Sequence, residues 1–492
     1  MKGKEDGVAK KALGGMIWTF GERICAQLVT FIVSVILARL LDPSEYAIVA
    51  IVTIFVTIAN VFVSSGFGSA LIQKKNADNV DFSTTLYFSV AFSIVIYFVL
   101  FMTAPVIAKF YKLPQLIPVI RVMSIRIVLA SINSVQQAYV AKRMEFKKFF
   151  FATFFGTAIS AGVGIWMAYS GYGVWALVAQ YLVNVIIDTI VLAFLCGWKP
   201  QLVFSGKRMK GLFSFGWKVM VADVVHNVCD QLRNLTLSKV ATPVELSYYN
   251  QGEKFPALFI NNIETSIQKV LAPVMSNAQE DKGIVLELTR KAMRMSSFVI
   301  WPLLFGLAAV GESLIKVIYT EKWIGCVPYL QLACIAYLFY PIAETHMRTI
   351  KCLGRSDVSM KAIFKSQIIS IGTLVISIVF DLGATWIVMS WVVSMLFLVL
   401  FCGMANNRLV GYKWINQLSD LLRTVACCCV MAFIVKLISE CVSLRTIYVL
   451  GIQVVAGGVT YVGVSFLLNK KTFMYFSKVI LGYLKNIKKG NK

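Results

Sequence analysis

The chain has 492 residues, of which 58% are apolar and only 15% are charged. Its mean hydropathy of +0.75 is well above that of a soluble globular protein, so the composition excludes soluble enzymes and soluble binding modules. The net charge of +24 would suggest nucleic acid in a soluble chain. Here the basic residues flank apolar segments, so the sequence predicts a polytopic membrane protein with no nucleic-acid partner.

Apolar segments long enough to span a bilayer recur along the whole chain when it is read in windows of about 19 residues. We predict fourteen transmembrane helices, at residues 15–38, 46–70, 83–104, 116–139, 149–169, 174–196, 213–236, 246–271, 293–313, 327–350, 359–380, 384–405, 417–438 and 446–468. The first segment follows a basic stretch, is too long for the apolar region of a signal peptide and lacks a small-residue cleavage site. We therefore expect it to remain in the membrane as a transmembrane helix. Four segments, starting near 116, 213, 246 and 327, are less apolar, and hydropathy alone would also allow twelve spans.

The basic residues predict the orientation of these spans. Most of the 48 Lys and Arg fall in loops on the side of the N-terminus. The positive-inside rule therefore places both termini in the cytoplasm, with a basic surface that we expect to contact anionic lipids. No connection exceeds about 20 residues on this span assignment, and no phosphate-binding G-x-x-x-x-G-K-[ST] loop occurs, so we expect neither a soluble domain nor ATP hydrolysis.

An internal repeat divides the chain. Residues 37–45 read Leu-Ala-Arg-Leu-Leu-Asp-Pro-Ser-Glu, and residues 237–245 read Leu-Ser-Lys-Val-Ala-Thr-Pro-Val-Glu. Each copy joins the first and second helix of a half, which predicts a parallel duplication of six helices and two lobes. The predicted domains are an N-terminal lobe (1–205), a C-terminal lobe (206–410), two added helices (411–470) and a basic amphipathic cytoplasmic tail (471–492).

Motifs for metal or covalent chemistry are not found in the sequence. The eleven cysteines lie mostly within apolar runs, are odd in number and form no C-x-x-C pair, which favours packing over disulfides or zinc. Neither histidine belongs to an H-E-x-x-H motif. We therefore expect no metal, no catalytic residue and no enzymatic activity.

Polar side chains within the spans are candidate functional residues, because they are costly in lipid unless they face a cavity or a partner. Six of them on the seventh span fall within an arc of about 120° at helical spacing. They are Asp223, His226, Asn227, Asp230, Arg233 and Asn234. The eighth span adds Asn250, Glu253, Lys254, Asn261, Glu264, Thr265 and Gln268. Together they predict a water-filled lumen, to which other spans contribute Arg121, Arg126, Asn133, Gln136, Gln137, Asp188, Glu344 and Arg348.

Two interpretations of the arginines within the spans are open, one functional and one structural. In the functional one, four of them bind an anionic group, because a guanidinium grips phosphate or carboxylate with two parallel hydrogen bonds. These are Arg121, Arg126, Arg233 and Arg348, with Asn227, Asn234, Asn250, Asn261 and Gln268 as amide contacts for substrate. In the structural one, acidic residues such as Asp223, Asp230 and Glu344 only neutralise those arginines. Glu344 and Arg348 lie at i and i+4, a spacing at which they can pair with each other.

A proton or cation site is a further candidate in the lumen. Asp223, His226 and Asp230 lie at i, i+3 and i+7, which puts two carboxylates and an imidazole on one helical face. Together with Glu264 they are our candidates for coupling transport to H⁺ or Na⁺.

Several segments resemble bacterial polysaccharide transporters. They include residues 36–46 (Ile-Leu-Ala-Arg-Leu-Leu-Asp-Pro-Ser-Glu-Tyr), 65–73 (Ser-Gly-Phe-Gly-Ser-Ala-Leu-Ile-Gln), 171–178 (Gly-Tyr-Gly-Val-Trp-Ala-Leu-Val), 248–250, 273–276 and 319–323. In order and spacing they are similar to Wzx-type lipid-linked oligosaccharide flippases of the multidrug/oligosaccharidyl-lipid/polysaccharide (MOP) exporter superfamily. Ala47 departs from the glycine that members often have there. The similarity covers roughly residues 10 to 470.

The resemblance implies a fold like that of multidrug and toxic compound extrusion (MATE) transporters, with two six-helix lobes and two added helices in the bacterial cytoplasmic membrane. It also implies alternating-access movement of polyprenyl-diphosphate-linked glycan, with the polysaccharide polymerase and glycosyltransferases of the same pathway as partners. The alternatives are a MATE-like cation-coupled drug antiporter, a membrane glycan polymerase or ligase, and a non-transporting scaffold. A polymerase is disfavoured by the short outer loops, and a scaffold by the buried charge.

Overall fold

The computed structural model describes residues 27–64, 68, 71, 74, 77–143, 145, 147–277, 281–442, 444–470, 472–474 and 476. Between residues 214 and 230, between 261 and 277, and at 356, several side chains fall outside this description although the backbone is included. Among the predicted site residues this applies to Asp223, His226, Asp230, Asn261 and Gln268.

The described secondary structure is helical, with no strand in the ranges given above. In chain order the helices are α1 (Gln27–Leu40), α2 (Pro43–Ser64), α3 (Asn79–Tyr111), α4 (Leu116–Met123), α5 (Ile125–Lys142), α6 (Lys147–Tyr169), α7 (Val174–Cys196), α8 (Gly206–Val240) and α9 (Pro243–Asn277). They continue as α10 (Lys282–Ile318), a 3₁₀ turn (Glu321–Trp323), α11 (Cys326–Leu338), α12 (Tyr340–Cys352), α13 (Ser356–Val379), α14 (Ala384–Val410), α15 (Trp414–Cys441) and α16 (Thr446–Leu468).

Eleven helical segments in the described part of the chain are long and apolar enough to cross a membrane. Two of them combine a pair of helices, α4 with α5 and α11 with α12. The chain is therefore an all-α, multi-pass membrane protein, as predicted. The other three predicted spans coincide with α1, of which 14 residues are described, and with the polar helices α8 and α9, so the count of fourteen stays a prediction.

The internal repeat has a structural counterpart at the starts of α2 and α9. Each helix begins with a proline, Pro43 or Pro243. Proline suits this position, because an N–H in the first turn of a helix has no acceptor within the helix. Two residues later a glutamate folds back onto the backbone N–H of the capping residue. Asp42 N donates to Glu45 Oε2 over 2.9 Å, and Thr242 N donates to Glu245 Oε2 over 3.0 Å. The duplicated sequence thus forms the same helix cap twice.

By packing, the chain divides into two compact units, Met1–Ser247 (unit 1) and Tyr248–Lys492 (unit 2). Helix α8 falls in unit 1, where it packs on α2 and α3. There Tyr111 Oη and Ser238 Oγ are 3.0 Å apart, and Lys239 Nζ donates to the Phe110 carbonyl. This division follows contacts, whereas the predicted lobes follow the duplication, so the lobe boundaries stay a prediction.

Small side chains allow α6 and α7 of unit 1 to approach closely. Every fourth residue of α6 is small and buried, at Ala152, Gly156, Ser160, Gly164 and Ala168. A Cβ at Gly156 would lie 3.1 Å from a backbone oxygen of α7. Because lipid tails are as apolar as the helices, such close van der Waals packing is what holds helices together in a membrane. This contact fixes α7, which carries Tyr181 and Asp188.

In unit 2 the added helices α15 and α16 pack against α10. Proline at 302 has no N–H for the carbonyl of Phe298 four residues earlier. Tyr461 Oη of α16 donates to that carbonyl over 2.7 Å, so the orphaned acceptor is satisfied by an added helix. Nearby, Val310, Met431 and Val435 form a buried apolar cluster. The added helices are therefore integral to the packing of unit 2.

Candidate functional site

Two arginines of unit 1 flank a break in the fourth predicted span. Helix α4 ends at Met123 and α5 begins at Ile125, with Arg121 before the break and Arg126 after it. The guanidinium carbon of Arg121 lies 4.2 Å from the ring centroid of Phe101 on α3. That of Arg126 lies 5.6 Å from the ring of Tyr181 on α7. Both cations are thus held by aromatic faces.

Neither arginine forms an ion pair with any side chain that the structure describes. Arg121 Nε is buried, and within the same residues no acceptor reaches it. An aromatic face attracts the cation but leaves the five N–H donors at the edge of the guanidinium unused. These donors suit an anion with several oxygens, such as phosphate.

A chain of amides and one carboxylate lies deeper in unit 1. Gln137 Nε2 donates to Asn133 Oδ1 over 2.6 Å, and Asn133 Nδ2 donates to Asp188 Oδ2 over 2.9 Å. Helices α5 and α7 bring these three residues together. On the same helix Gln136 is buried, and its Oε1 has no hydrogen-bond donor among the described residues. Amides of this kind can exchange hydrogen bonds with hydroxyl groups.

Helix α8 is continuous from Gly206 to Val240, so the helical spacing on which the predicted polar face of the seventh span depends is present. Three of its six polar side chains are described. Asn227 and Arg233 are half-buried, and Asn234 Nδ2 donates to Gln231 Oε1 over 2.8 Å. The side chains of Asp223, His226 and Asp230 lie outside the description, so the proposed cation site on α8 stays a prediction.

Unit 2 holds a second charged cluster. Glu264 of α9 is 5% exposed and lies within electrostatic range of Glu344 and Arg348 of α12. Tyr340, one turn before Glu344, belongs to the same group. Arg348 Nε is buried with no acceptor in the described part of unit 2. Glu264 therefore lies near a like charge, Glu344, and an opposite charge, Arg348.

The remaining predicted residues lie on α9. Asn250 is half-buried, while the side chains of Asn261 and Gln268 are outside the description. The structure adds Tyr337 of α11, whose hydroxyl donates to Glu253 Oε1 over 3.3 Å. Phe101, Tyr181, Tyr337 and Tyr340 were not among the predicted site residues, because an apolar stripe gives no sign of which ring meets which charge. Among the described residues no group of acidic, histidine and cysteine side chains forms a metal site.

A family model and individual relatives agree in their similarity to this chain, since all are described as proteins of polysaccharide biosynthesis. A family described as "Polysaccharide biosynthesis protein" matches residues 36–328. The teichuronic acid biosynthesis protein TuaB of Bacillus subtilis is 22% identical over 466 residues, which are 92% of this chain and 95% of that protein. The lipopolysaccharide biosynthesis protein WzxC of Escherichia coli is 21% identical and aligns over 72% of each chain.

Solved structures share the fold. The lipid II flippase MurJ in an inward closed conformation has a TM-score of 0.72 at 15% sequence identity and covers 93% of this chain and 99% of its own. An inward-facing multidrug resistance MATE family transporter of the MOP superfamily has a TM-score of 0.61 at 12% identity and covers 78% of this chain and 94% of its own. At these identities the structural likeness establishes the fold alone.

Proposed function

Because this chain belongs to the family of polysaccharide biosynthesis proteins, we propose that it is a transporter and not an enzyme. It flips or exports polyprenyl-diphosphate-linked oligosaccharide or polysaccharide across the cytoplasmic membrane for cell-surface polysaccharide biosynthesis. Two observations support this: the relatives are named for polysaccharide biosynthesis, and the fold is shared with a lipid II flippase.

The observation that carries the proposal is the state of Arg121 and Arg126. Each is stabilised by an aromatic ring and lacks a carboxylate among the described side chains, so each retains its positive charge and its N–H donors. A diphosphate offers several anionic oxygens to such donors, and charge-assisted hydrogen bonds are about twice as strong as neutral ones. In this proposal the two arginines bind the diphosphate, and Asn133, Gln136 and Gln137 contact glycan hydroxyls.

Of the two candidates for ion coupling, the charged cluster of unit 2 is better supported than the acidic residues of α8. Glu264 lies within electrostatic range of Glu344, and at low dielectric two carboxylates close together repel unless a proton or a cation neutralises one of them. Uptake of H⁺ or Na⁺ would relieve this repulsion, and its release would restore it. Coupling of this kind could drive alternating access. Arg348 then serves this cluster rather than the substrate.

Placement in the cell follows the charge of the loops. We propose that the membrane is the bacterial cytoplasmic membrane and that both termini are cytoplasmic, since most basic residues lie in loops on the N-terminal side. The polysaccharide polymerase and glycosyltransferases of the same pathway are the proposed protein partners, because they would consume and supply the lipid-linked glycan.

The test is flipping of a labelled polyprenyl-diphosphate glycan in proteoliposomes. Arg121→Gln and Arg126→Gln each remove one charge-assisted contact, worth about 1.5–3 kcal/mol, so the apparent affinity for substrate should fall about 10- to 150-fold. Arg423→Gln is the matched control, because Arg423 lies in a membrane-spanning helix, α15, but is exposed. It should leave flipping within a factor of two or so of the native rate.

Native flipping by both variants of unit 1, with equal protein in the liposomes, would refute the anion site. The rival function is a MATE-like cation-coupled drug antiporter, which shares the fold. It predicts that these variants still transport cationic dyes and that the native protein leaves lipid-linked glycan unflipped. Two arginines without a described counter-charge are an unfavourable environment for a cationic drug.

A further inference from the structure

A cavity of about 540 Å³ lies at one end of unit 1, where three connections meet. Its walls come from the segment before α3, the end of α5 and the segment after α7, and they include Asn79, Tyr139, Lys142 and Trp198. Because three membrane-spanning helices begin or end here, the cavity lies at the level of the membrane surface. By the positive-inside rule this is the cytoplasmic surface.

Aromatic rings make one wall of the cavity. Tyr139 and Trp198 are stacked with centroids 5.5 Å apart, and Phe82 packs edge-on against both. The indole N–H of Trp198 donates to Asn79 Oδ1, which fixes the ring. Tyrosine and tryptophan favour the interface between water and lipid, where one end of the side chain is apolar and the other polar.

The cavity is cationic once its ion pairs are counted. Asp78 pairs with Arg208, and the fully buried Asp81 pairs with Lys74 over 2.7 Å, so both acids at this end are neutralised. Of the three further cations that line the cavity, Lys142 donates to the backbone carbonyls of Leu71 and Lys74, which leaves Arg143 and Lys199. Neither has a carboxylate partner within the part of unit 1 that the structure describes, and the guanidinium of Arg143 lies 4.1 Å over the Tyr139 ring.

We propose that this cavity binds a phosphate group, supplied by the headgroup of an anionic phospholipid. Arg143 and Lys199 contact the phosphate, and the aromatic wall contacts the glycerol and the start of the acyl chains. The bound headgroup ties the connection between α7 and α8 to the membrane surface. That connection already rests on α3, where Gln201 N donates to Ser83 Oγ over 2.9 Å.

The experiment is native mass spectrometry of the full chain in detergent, titrated with phosphatidylglycerol and, in parallel, with diacylglycerol, which lacks the phosphate. Each basic residue near an anionic headgroup contributes about 1 kcal/mol, so the double variant Arg143→Gln/Lys199→Gln should bind phosphatidylglycerol about 10- to 30-fold more weakly. The matched control is Arg408→Gln/Lys413→Gln. It removes an exposed arginine and an exposed lysine from unit 2, on the same predicted side of the membrane.

A second variant tests the cavity itself. Ala77→Trp fills it without changing charge, and it should also weaken binding of phosphatidylglycerol by about tenfold. Thermal unfolding of each variant checks that it is folded. Inorganic diphosphate added as a competitor separates the two sources of phosphate: displacement of lipid means that the site also takes soluble phosphate, and no displacement means that it needs a lipid headgroup.

Three results would overturn the proposal: equal loss of binding in the two double variants, native affinity in Ala77→Trp, or equal binding of diacylglycerol and phosphatidylglycerol. The first would mean diffuse attraction to a basic surface, and the second would mean a different location. Because the readout is lipid binding, the outcome does not depend on whether the transport function proposed above is correct.

Discussion

Replacing Asp420 by asparagine should loosen the attachment of α15 to α10. The Asp420 carboxylate is 6% exposed and accepts two hydrogen bonds from Arg290, of 2.8 and 2.9 Å, in a bidentate arrangement. It accepts a third from Tyr412 Oη at 2.8 Å. Asparagine keeps the shape of the side chain but removes its charge, so the Arg290 guanidinium loses its partner.

Breaking a buried ion pair by removing one partner costs about 3–5 kcal/mol. The lower end applies here, because Arg290 is 33% exposed and keeps part of its hydration, so we expect a loss of about 3 kcal/mol. At the per-residue unfolding entropy of globular proteins, this lowers the thermal midpoint of a chain of this length by about 3 °C. Arg290→Gln in the same chain should add little, since the pair is already broken.

Thermal unfolding in detergent measures the effect, and α10 itself supplies the control. Glu312 forms an ion pair with Lys316 at the similar distance of 2.9 Å, but its side chain is 65% exposed. Exposed pairs contribute about 0–1 kcal/mol, so Glu312→Gln should shift the midpoint by less than about 1 °C. If Asp420→Asn and Glu312→Gln lower the midpoint equally, burial does not determine the strength of the pair and the reasoning fails.

Two further predictions concern close packing and pH. A Cβ at Gly252 of α9 would lie 2.9 Å from the backbone of α11, so Gly252→Ala should lower the thermal midpoint, whereas Gly372→Ala, which has open space, should not. A hydrogen bond from Arg208 lowers the pKa of Asp78, at the start of α3, to about 2 from an ordinary 3.8. Because the folded-state pKa is the lower one, the stability that this contact contributes is present above about pH 4 and is lost as pH falls towards 2. Arg208→Gln should raise the pKa of Asp78 towards 3.8 in an infrared titration of its carboxyl group, and an unchanged pKa would contradict the assignment.

Hydropathy and the repeat predicted much of the fold because both depend on local sequence. The predicted segment 384–405, for example, lies within α14, and the duplicated Pro-x-Glu sequence gives the same helix cap at Pro43 and Pro243. The division into compact units was not predictable in the same way. Whether α8 packs with the helices before or after it depends on side-chain contacts, which the order of spans along the chain leaves open.

The candidate site was predictable only in part. Helical spacing identified Arg121 and Arg126 as unusual, but it did not reveal Phe101 and Tyr181 as their contacts, because both rings come from other helices. Spacing also favoured a pair between Glu344 and Arg348 at i and i+4. Such a pair competes with every other charge nearby, and here the arginine shares its surroundings with a glutamate from α9.

The environments of the arginines within this one chain distinguish scaffold from site. An arginine in a membrane span is costly unless something compensates its charge. Arg290 is compensated by a carboxylate that occupies its N–H edge, which suits a permanent contact between helices. Arg121 lies against an aromatic ring, which stabilises the cation from its face and leaves the edge open. A substrate anion that binds and dissociates cannot readily displace a carboxylate that already occupies the N–H groups of an arginine. It can bind to N–H groups that are unoccupied. This difference favours an exchangeable ligand at Arg121 and a structural role for Arg290.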